Sequence, residues 1–268
     1  MKKLIFLLFC ILTSIIFSCK KAPVASKNAD ILEKYISAYT NGEVSKASAI
    51  KVQFTEDVID ENKVGTTVDK DLVSFNPSIK GTAEWTDRRT ISFKPKDNLV
   101  AKQAFVGTVS VGKLFKSLPK EAQVFEFDFR VKEQHLSIEN EPLIFSALGS
   151  ESMELHGVIY TADVVNASLI QKCLSTDSKL GKDSIRWEHS NDGIMHRFVI
   201  PNIKQTETDQ KFKLEWNGTP LNLDQKGDIE VIIPSSKGLH FVDFRVVDEP
   251  DQIIKLYFNN PIDPNQNL

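Results

Sequence analysis

Val124-Phe125-Glu126-Phe127-Asp128-Phe129-Arg130-Val131 is the stretch that decides the fold. Phe125, Phe127, Phe129 and Val131 alternate with Glu126, Asp128 and Arg130. Side chains on a strand point to opposite faces at period two, so this segment puts its apolar groups on one face and its charges on the other. Working backward, Ile50, Val52 and Phe54 alternate with Lys51 and Gln53 in the same way. Trp85-Thr86-Asp87-Arg88-Arg89-Thr90-Ile91-Ser92-Phe93 reads as a hairpin with its tip near Asp87-Arg88. Short turns imply antiparallel pairing, and one buried face per strand implies two sheets packed together. Residues 32–132 supply about the hundred residues that one such sandwich needs. The expected fold is therefore all-β, built of Ig-like antiparallel sandwiches.

A second module is expected over residues 133–240. Its strands are Met153 to Thr161, Ile185 to His189, His196 to Ile200, Phe212 to Trp216 and Ile229 to Ile233. Val165, Leu169 and Cys173, four residues apart with Ile170 and Leu174 beside them, mark one face of a short helix. Asp192-Gly193 is a favoured hairpin turn. It would set Glu188 opposite Arg197 on one face, and Trp187 opposite Phe198 and His189 opposite His196 on the other.

The opening of the first module then recurs. Ile50-Lys51-Val52-Gln53-Phe54, followed by Asp57-Val58-Ile59-Asp60, returns as Ile254-Lys255-Leu256-Tyr257-Phe258, followed by Asn260-Pro261-Ile262-Asp263. With a strand at Phe241 to Val247, residues 241–268 read as the truncated start of a third module. Two strands alone cannot bury a face.

At the other end, Lys2-Lys3 precede an apolar run from Leu4 to Phe17 that is broken only by Thr13 and Ser14. About 14 residues is short of the roughly 20 that a membrane helix needs, and the basic flank reads as a secretory signal. Ile16-Phe17-Ser18-Cys19 resembles a bacterial lipobox, although Phe17 is bulkier than the usual residue at its position. The resemblance implies a signal peptide over residues 1–18, lipidation of Cys19 and a tether over residues 19–31. Several acyl chains would give firm membrane anchoring. Lys20 follows the cysteine where an inner-membrane retention signal would carry aspartate, which favours the outer membrane.

Charged residues make up 26% and apolar residues 41% of the chain, a globular balance. The formal net charge is −3 and becomes two units more negative when Lys2 and Lys3 leave with the signal. No basic stripe argues for a nucleic-acid partner. Once Cys10 departs and Cys19 carries lipid, Cys173 has no disulfide partner, and a free cysteine packs as a small hydrophobe.

Candidate chemistry is sparse. His189 and His196 are cross-strand neighbours whose imidazoles could meet one zinc or copper ion. Asp192 and Glu188 lie at the turn or face away, so the alternative is a polar pair at the open end of the hairpin. His135, His156 and His240 are dispersed. Trp85, Trp187 and Trp216 could form a carbohydrate platform, but each alternates with apolar neighbours as core residues do. There is no His-Glu-x-x-His, Gly-x-Ser-x-Gly, phosphate loop or Cys-x-x-Cys. No catalytic residue, cofactor or established metal is assigned.

Tyr39-Thr40-Asn41-Gly42-Glu43-Val44 leading to Ile50-Lys51-Val52-Gln53-Phe54, and Gly81…Glu84-Trp85…Arg89-Thr90-Ile91-Ser92-Phe93-Lys94-Pro95, resemble the opening of a Bacteroidetes-type alpha-2-macroglobulin. So do Leu155-His156-Gly157…Thr161-Ala162-Asp163, Trp187 to Gly193, Leu214 to Gly218, and Phe244-Arg245-Val246-Val247…Pro250…Phe258…Pro261 to Leu268. The order of these motifs spans essentially the whole mature chain. The resemblance implies tandem macroglobulin-like sandwiches in a lipid-anchored, envelope-facing protease trap, with further macroglobulin modules downstream if the gene is longer. Target proteases would then be met indirectly. In many members a Cys-x-Glu-Gln thioester captures the protease. Here Cys173 is followed by Leu174-Ser175-Thr176 and no bait segment is recognisable, so neither inhibitory residue set carries over. The expectation is a non-catalytic stalk that does not inhibit alone; the alternative is a surface lipoprotein whose sandwiches bind glycan or protein directly.

Overall fold

The computed structural model describes residues 29–147, 152–176, 185–248 and 250–262; the signal, Cys19 and most of the tether lie outside them. Among the described residues, no helix is long and apolar enough to cross a membrane. The chain divides into two compact units between Val131 and Lys132.

In the first unit, a four-residue helix α1 (Ala29–Leu32) precedes β1 (Ile36–Tyr39), β2 (Gly42–Val44), β3 (Ile50–Phe54), β4 (Val73–Asn76), β5 (Gly81–Asp87), β6 (Thr90–Pro95), β7 (Ala104–Val109) and β8 (Phe125–Val131). They form two four-stranded sheets, ordered β1-β3-β6-β5 and β2-β8-β7-β4. The alternation in β8 is realised as expected: Phe125, Phe127, Phe129 and Val131 are buried while Glu126 and Arg130 are exposed. They share one core with Ile50, Val52 and Phe54 of β3, Trp85 of β5, and Ile91 and Phe93 of β6. Rings bridge the layers: Phe75 of β4 lies 4.6 Å from Phe93, and Tyr39 of β1 lies 5.0 Å from Phe125. Each fully buried side chain of this size contributes about 1.5–3 kcal/mol of transfer free energy, which holds the sheets face to face.

One pair departs from the antiparallel pattern: β2 runs parallel to β8. The chain leaves β1, turns through Gly42 at a φ of +67° and joins the other sheet, which brings β2 alongside β8 in the same direction. Such a left-handed backbone position suits glycine, which has no Cβ to clash.

The second unit comprises β9 (Leu136–Asn140), β10 (Ile144–Phe145), β11 (Ser152–Thr161), α2 (Ala167–Ile170), β12 (Leu174–Thr176), β13 (Arg186–His189), β14 (Met195–Lys204), β15 (Gln210–Asn217), β16 (Lys226–Ile233), β17 (Phe241–Val247) and β18 (Ile253–Phe258). β9 and β10 share one edge of β11, followed by β14 and β13; a second sheet runs β12-β15-β16. The plan of the first unit is repeated here. The order β1-β3-β6-β5 recurs as β9-β11-β14-β13, and β4-β7-β8 recurs as β12-β15-β16.

The expected helix over Val165 to Leu174 is shorter. Asn166 caps α2 by accepting from the Ser168 backbone N–H at 2.9 Å, and a 3-10 turn over Gln171–Cys173 follows. Leu174 belongs to β12, where it pairs with Trp216.

Candidate functional site

The hairpin β13–β14 has the register expected from its sequence: Trp187 opposite Phe198, Glu188 opposite Arg197 and His189 opposite His196. Its loop is wider than a two-residue turn, because the Ser190 N–H donates to the Met195 carbonyl at 2.9 Å. Gly193 takes the left-handed position at a φ of +67°. The Asp192 carboxylate accepts from the Ser190 hydroxyl and the Ile194 N–H, which hold it below its ordinary pKa.

The two imidazoles touch, with His189 Nδ1 2.9 Å from His196 Nδ1. On the far side, Gln171 Nε2 lies 3.0 Å from His189 Nε2, and the Trp187 ring stacks on the His189 ring. With the Gln171 amide so oriented, its nitrogen donates, which places the His189 proton on Nδ1, facing the His196 Nδ1 lone pair. The remaining His196 proton then sits on Nε2, a buried atom with no hydrogen-bond partner. His196 is only 1% exposed. Burial and the adjacent His189 hold its pKa below the ordinary value, against the opposing pull of the Gly193 backbone and Asp192.

The two histidines meet as the sequence expects, but they face each other in a hydrogen bond, and the other His189 nitrogen is engaged by Gln171. Glu188 lies on the opposite face with Arg197, and the Asp192 carboxylate is engaged within its own loop. Among the described residues, no group of three or more His, Cys, Asp or Glu could hold a metal ion.

The other sequence candidates remain apart. His156 pairs with Glu154 at 3.1 Å on the outer face of β11, and Glu154 also binds Arg186 at 2.6 Å. His240 lies 3.1 Å from the Lys237 carbonyl, and His135 is exposed. Trp85 is buried in the first core, whereas Trp187 and Trp216 are half-buried at the margin of the second. Cys173 is buried, and burial pushes its thiol pKa up to about 11, opposite to what a nucleophile needs. On the outer face of the first sheet, a shallow groove of about 420 Å³ is lined by Tyr39, Lys51, Gln53, Thr86, Asp87 and Thr90 among others.

Among the described residues, the most exposed apolar surface lies on the ribbon β17–β18, a two-stranded sheet with which no further described strand pairs. Phe244 pairs with Leu256 and Val246 with Ile254, which puts all four on one face at 55%, 56%, 53% and 66% exposure. Asp243, Arg245 and Lys255 occupy the other face. The ribbon's base is fastened by the buried Asn259, whose amide donates to the Ser235 and Gly238 carbonyls at 2.9 Å and accepts from the His240 N–H. Gln205 donates to the Asn259 carbonyl at 2.7 Å. The sequence signalled this ribbon through the repeated Ile-Lys-x-x-Phe pattern; the asparagine latch carried no signal.

These features define a tandem β-sandwich protein of one repeated plan, without a convergent catalytic constellation among the described residues. No protein-family model matches the chain, and no curated protein matches it. Solved structures with partial likeness include L,D-transpeptidase 3 from Mycobacterium tuberculosis, at 13% identity and a TM-score of 0.25, covering 45% of this chain and 44% of that one. An L,D-transpeptidase from Mycobacterium tuberculosis H37Rv shares 11% identity at a TM-score of 0.26, covering 83% and 76%. LD transpeptidase LdtMt1 in complex with imipenem shares 12% at 0.26, covering 74% and 73%. The chain thus spans under half the length of the first of these.

Proposed function

We propose that this chain is the lipid-anchored N-terminal stalk of an alpha-2-macroglobulin-like, protease-trapping envelope protein, itself non-catalytic and not inhibitory alone. The observation that carries the reading is the repetition of one sandwich plan in tandem, as a stalk of stacked modules requires. The ordered motifs that resemble the macroglobulin family lie on its framework: Leu155-His156-Gly157 on β11, Trp187 to His189 on β13 and Leu214 to Asn217 on β15. Cys19, lipidated, would fix the chain to the outer membrane, and modules beyond the stalk would carry the trap. Cys173, buried and followed by Leu174-Ser175-Thr176, lacks the sequence and the environment of a thioester.

The test is incubation of the purified protein with trypsin. Protease activity is expected to remain unchanged and no covalent high-mass species to form on a denaturing gel; a stable adduct would overturn the stalk reading. The outer groove with Lys51, Gln53 and Asp87 favours the second reading, a glycan-binding surface lipoprotein, because its amide, ammonium and carboxylate suit sugar hydroxyls. Glycan-array binding abolished by Asp87→Ala would put that reading first.

A further inference from the structure

The register of β17 on β18 reproduces that of β1 on β3 residue by residue. In the first unit, Phe54 faces Ile36, Gln53 faces Ala38 and Val52 faces Tyr39, with a bulge at the skipped residue. In the ribbon, Phe258 faces Phe241, Tyr257 faces Asp243 and Leu256 faces Phe244, with a bulge at the same place. The hydrogen bond that closes each pair also matches: Thr55 N–H to the Tyr35 carbonyl, and Asn259 N–H to the His240 carbonyl, both at 3.0 Å. The ribbon is thus built as the first two paired strands of the sandwich plan.

What surrounds those strands differs. In the first unit the far edge of β3 is filled by β6, with Ile50 opposite Phe93 and Val52 opposite Ile91. In the second unit the far edge of β11 is filled by β14. The outer edges of β1 and β9 are ends of their sheets. On β18 no described strand pairs with the corresponding far edge, and Ile254 and Leu256 are exposed where Ile50 and Val52 are buried.

We propose that the outer edge of β18, and not that of β17, is a docking edge for an antiparallel strand of the β6 type, supplied by another polypeptide segment. That strand would carry apolar residues at alternate positions, as Ile91 and Phe93 do on β6. It would sit so that its side chains continue the face formed by Phe244, Val246, Ile254 and Leu256. The unfilled backbone groups are specified too. Phe54 donates toward the β6 side, to the Arg89 carbonyl, whereas Thr55 donates toward β1. By the shared register, Ile254, Leu256 and Phe258 aim their N–H and C=O groups at the open edge, and Ile253, Lys255 and Tyr257 aim theirs at β17. An open edge with a row of unpaired donors and acceptors is a template for strand addition, and alternate side chains give the specificity. The inference rests on the repeated plan, and not on lipidation or protease trapping, so it stands or falls separately from them.

The experiment is amide hydrogen exchange on the whole chain, read by NMR, with and without a synthetic peptide spanning residues 81–96, the β5–β6 hairpin. Exchange at Ile254, Leu256 and Phe258 is expected to slow by at least about tenfold on adding the peptide. Ile253, Lys255 and Tyr257 should be unchanged, and a scrambled peptide should have no effect. Leu256→Asp should abolish the response, while an unchanged Asn259 amide reports that the ribbon is still latched. No slowing at millimolar peptide, or slowing on the outer edge of β17 instead, would overturn the proposal. Slowing of the β18 amides with protein concentration alone would also overturn it, since the occupant would then be a second copy.

Discussion

With the tautomers assigned from the Gln171 amide, His196 gains its second proton at Nδ1, the atom that accepts from His189. A second proton there sets two donors face to face and places charge in a buried site. The groups facing it are His189 on β13, Asp192 and Gly193 in the loop, and the apolar Ile159 opposite it on β11. Because its pKa is depressed in the folded chain, the unfolded chain binds the proton first as pH falls. The site's contribution to stability is therefore complete above the ordinary histidine pKa near 6.5 and is lost as pH drops through the lower folded value. Thermal unfolding of the second unit should move to lower temperature between pH 7.5 and pH 5, and His196→Leu should flatten that dependence. A steeper dependence in the variant would contradict the assignment. At this scale, alternation and the Asn191-Asp192-Gly193 turn made the His189–His196 pairing legible. The Gln171 contact was not, because it depends on where the turn after the short helix lies relative to the hairpin.

Among the elements, β11 and β14 are held by a glycine that yields its side-chain space to a ring. Gly157 lies opposite Phe198, and a Cβ there would stand 2.3 Å from the ring and 2.7 Å from the Glu139 carbonyl. Gly107 opposite Phe127 and Gly227 opposite Trp216 use the same device. Overpacking of this kind costs about 1–3 kcal/mol, so Gly157→Ala should lower the melting temperature of the second unit and leave that of the first unchanged. Calorimetry that resolves the two units decides it; equal shifts in both would contradict the packing argument. The long strands β3, β8, β11 and β14 were legible because their alternation spans five or more residues. The short strands β2, β10 and β12 were not, because two or three residues carry no period and take their identity from the partner. Leu174 shows the effect: its spacing continued a helical face, yet pairing with Trp216 drew it into β12. The parallel set of β2 on β8 follows from a change of sheet at Gly42, which local pattern does not encode.

Across the whole molecule, one strand order is used twice and its first pair a third time. The 204-residue recurrence of Ile-Lys-x-x-Phe was visible in sequence because both copies kept the same residue types at matched positions. The likeness of the two complete units was not, since β9–β11 keeps the pairing with other residues. The open groove of the first sheet also went unread, because Thr40, Gln53 and Asp87 converge only through pairing. The tandem plan is the framework for the proposed role, and the proposed lipid anchor at Cys19 would give that framework its place in the cell. Intact-mass analysis of the protein from its native envelope, beside a Cys19→Ser variant, tests this most directly. The result expected is a mature chain that begins at Cys19, carries fatty acyl mass, partitions into detergent, and loses all three properties in the variant. An unmodified mature chain that begins at another residue would contradict the anchored-stalk reading.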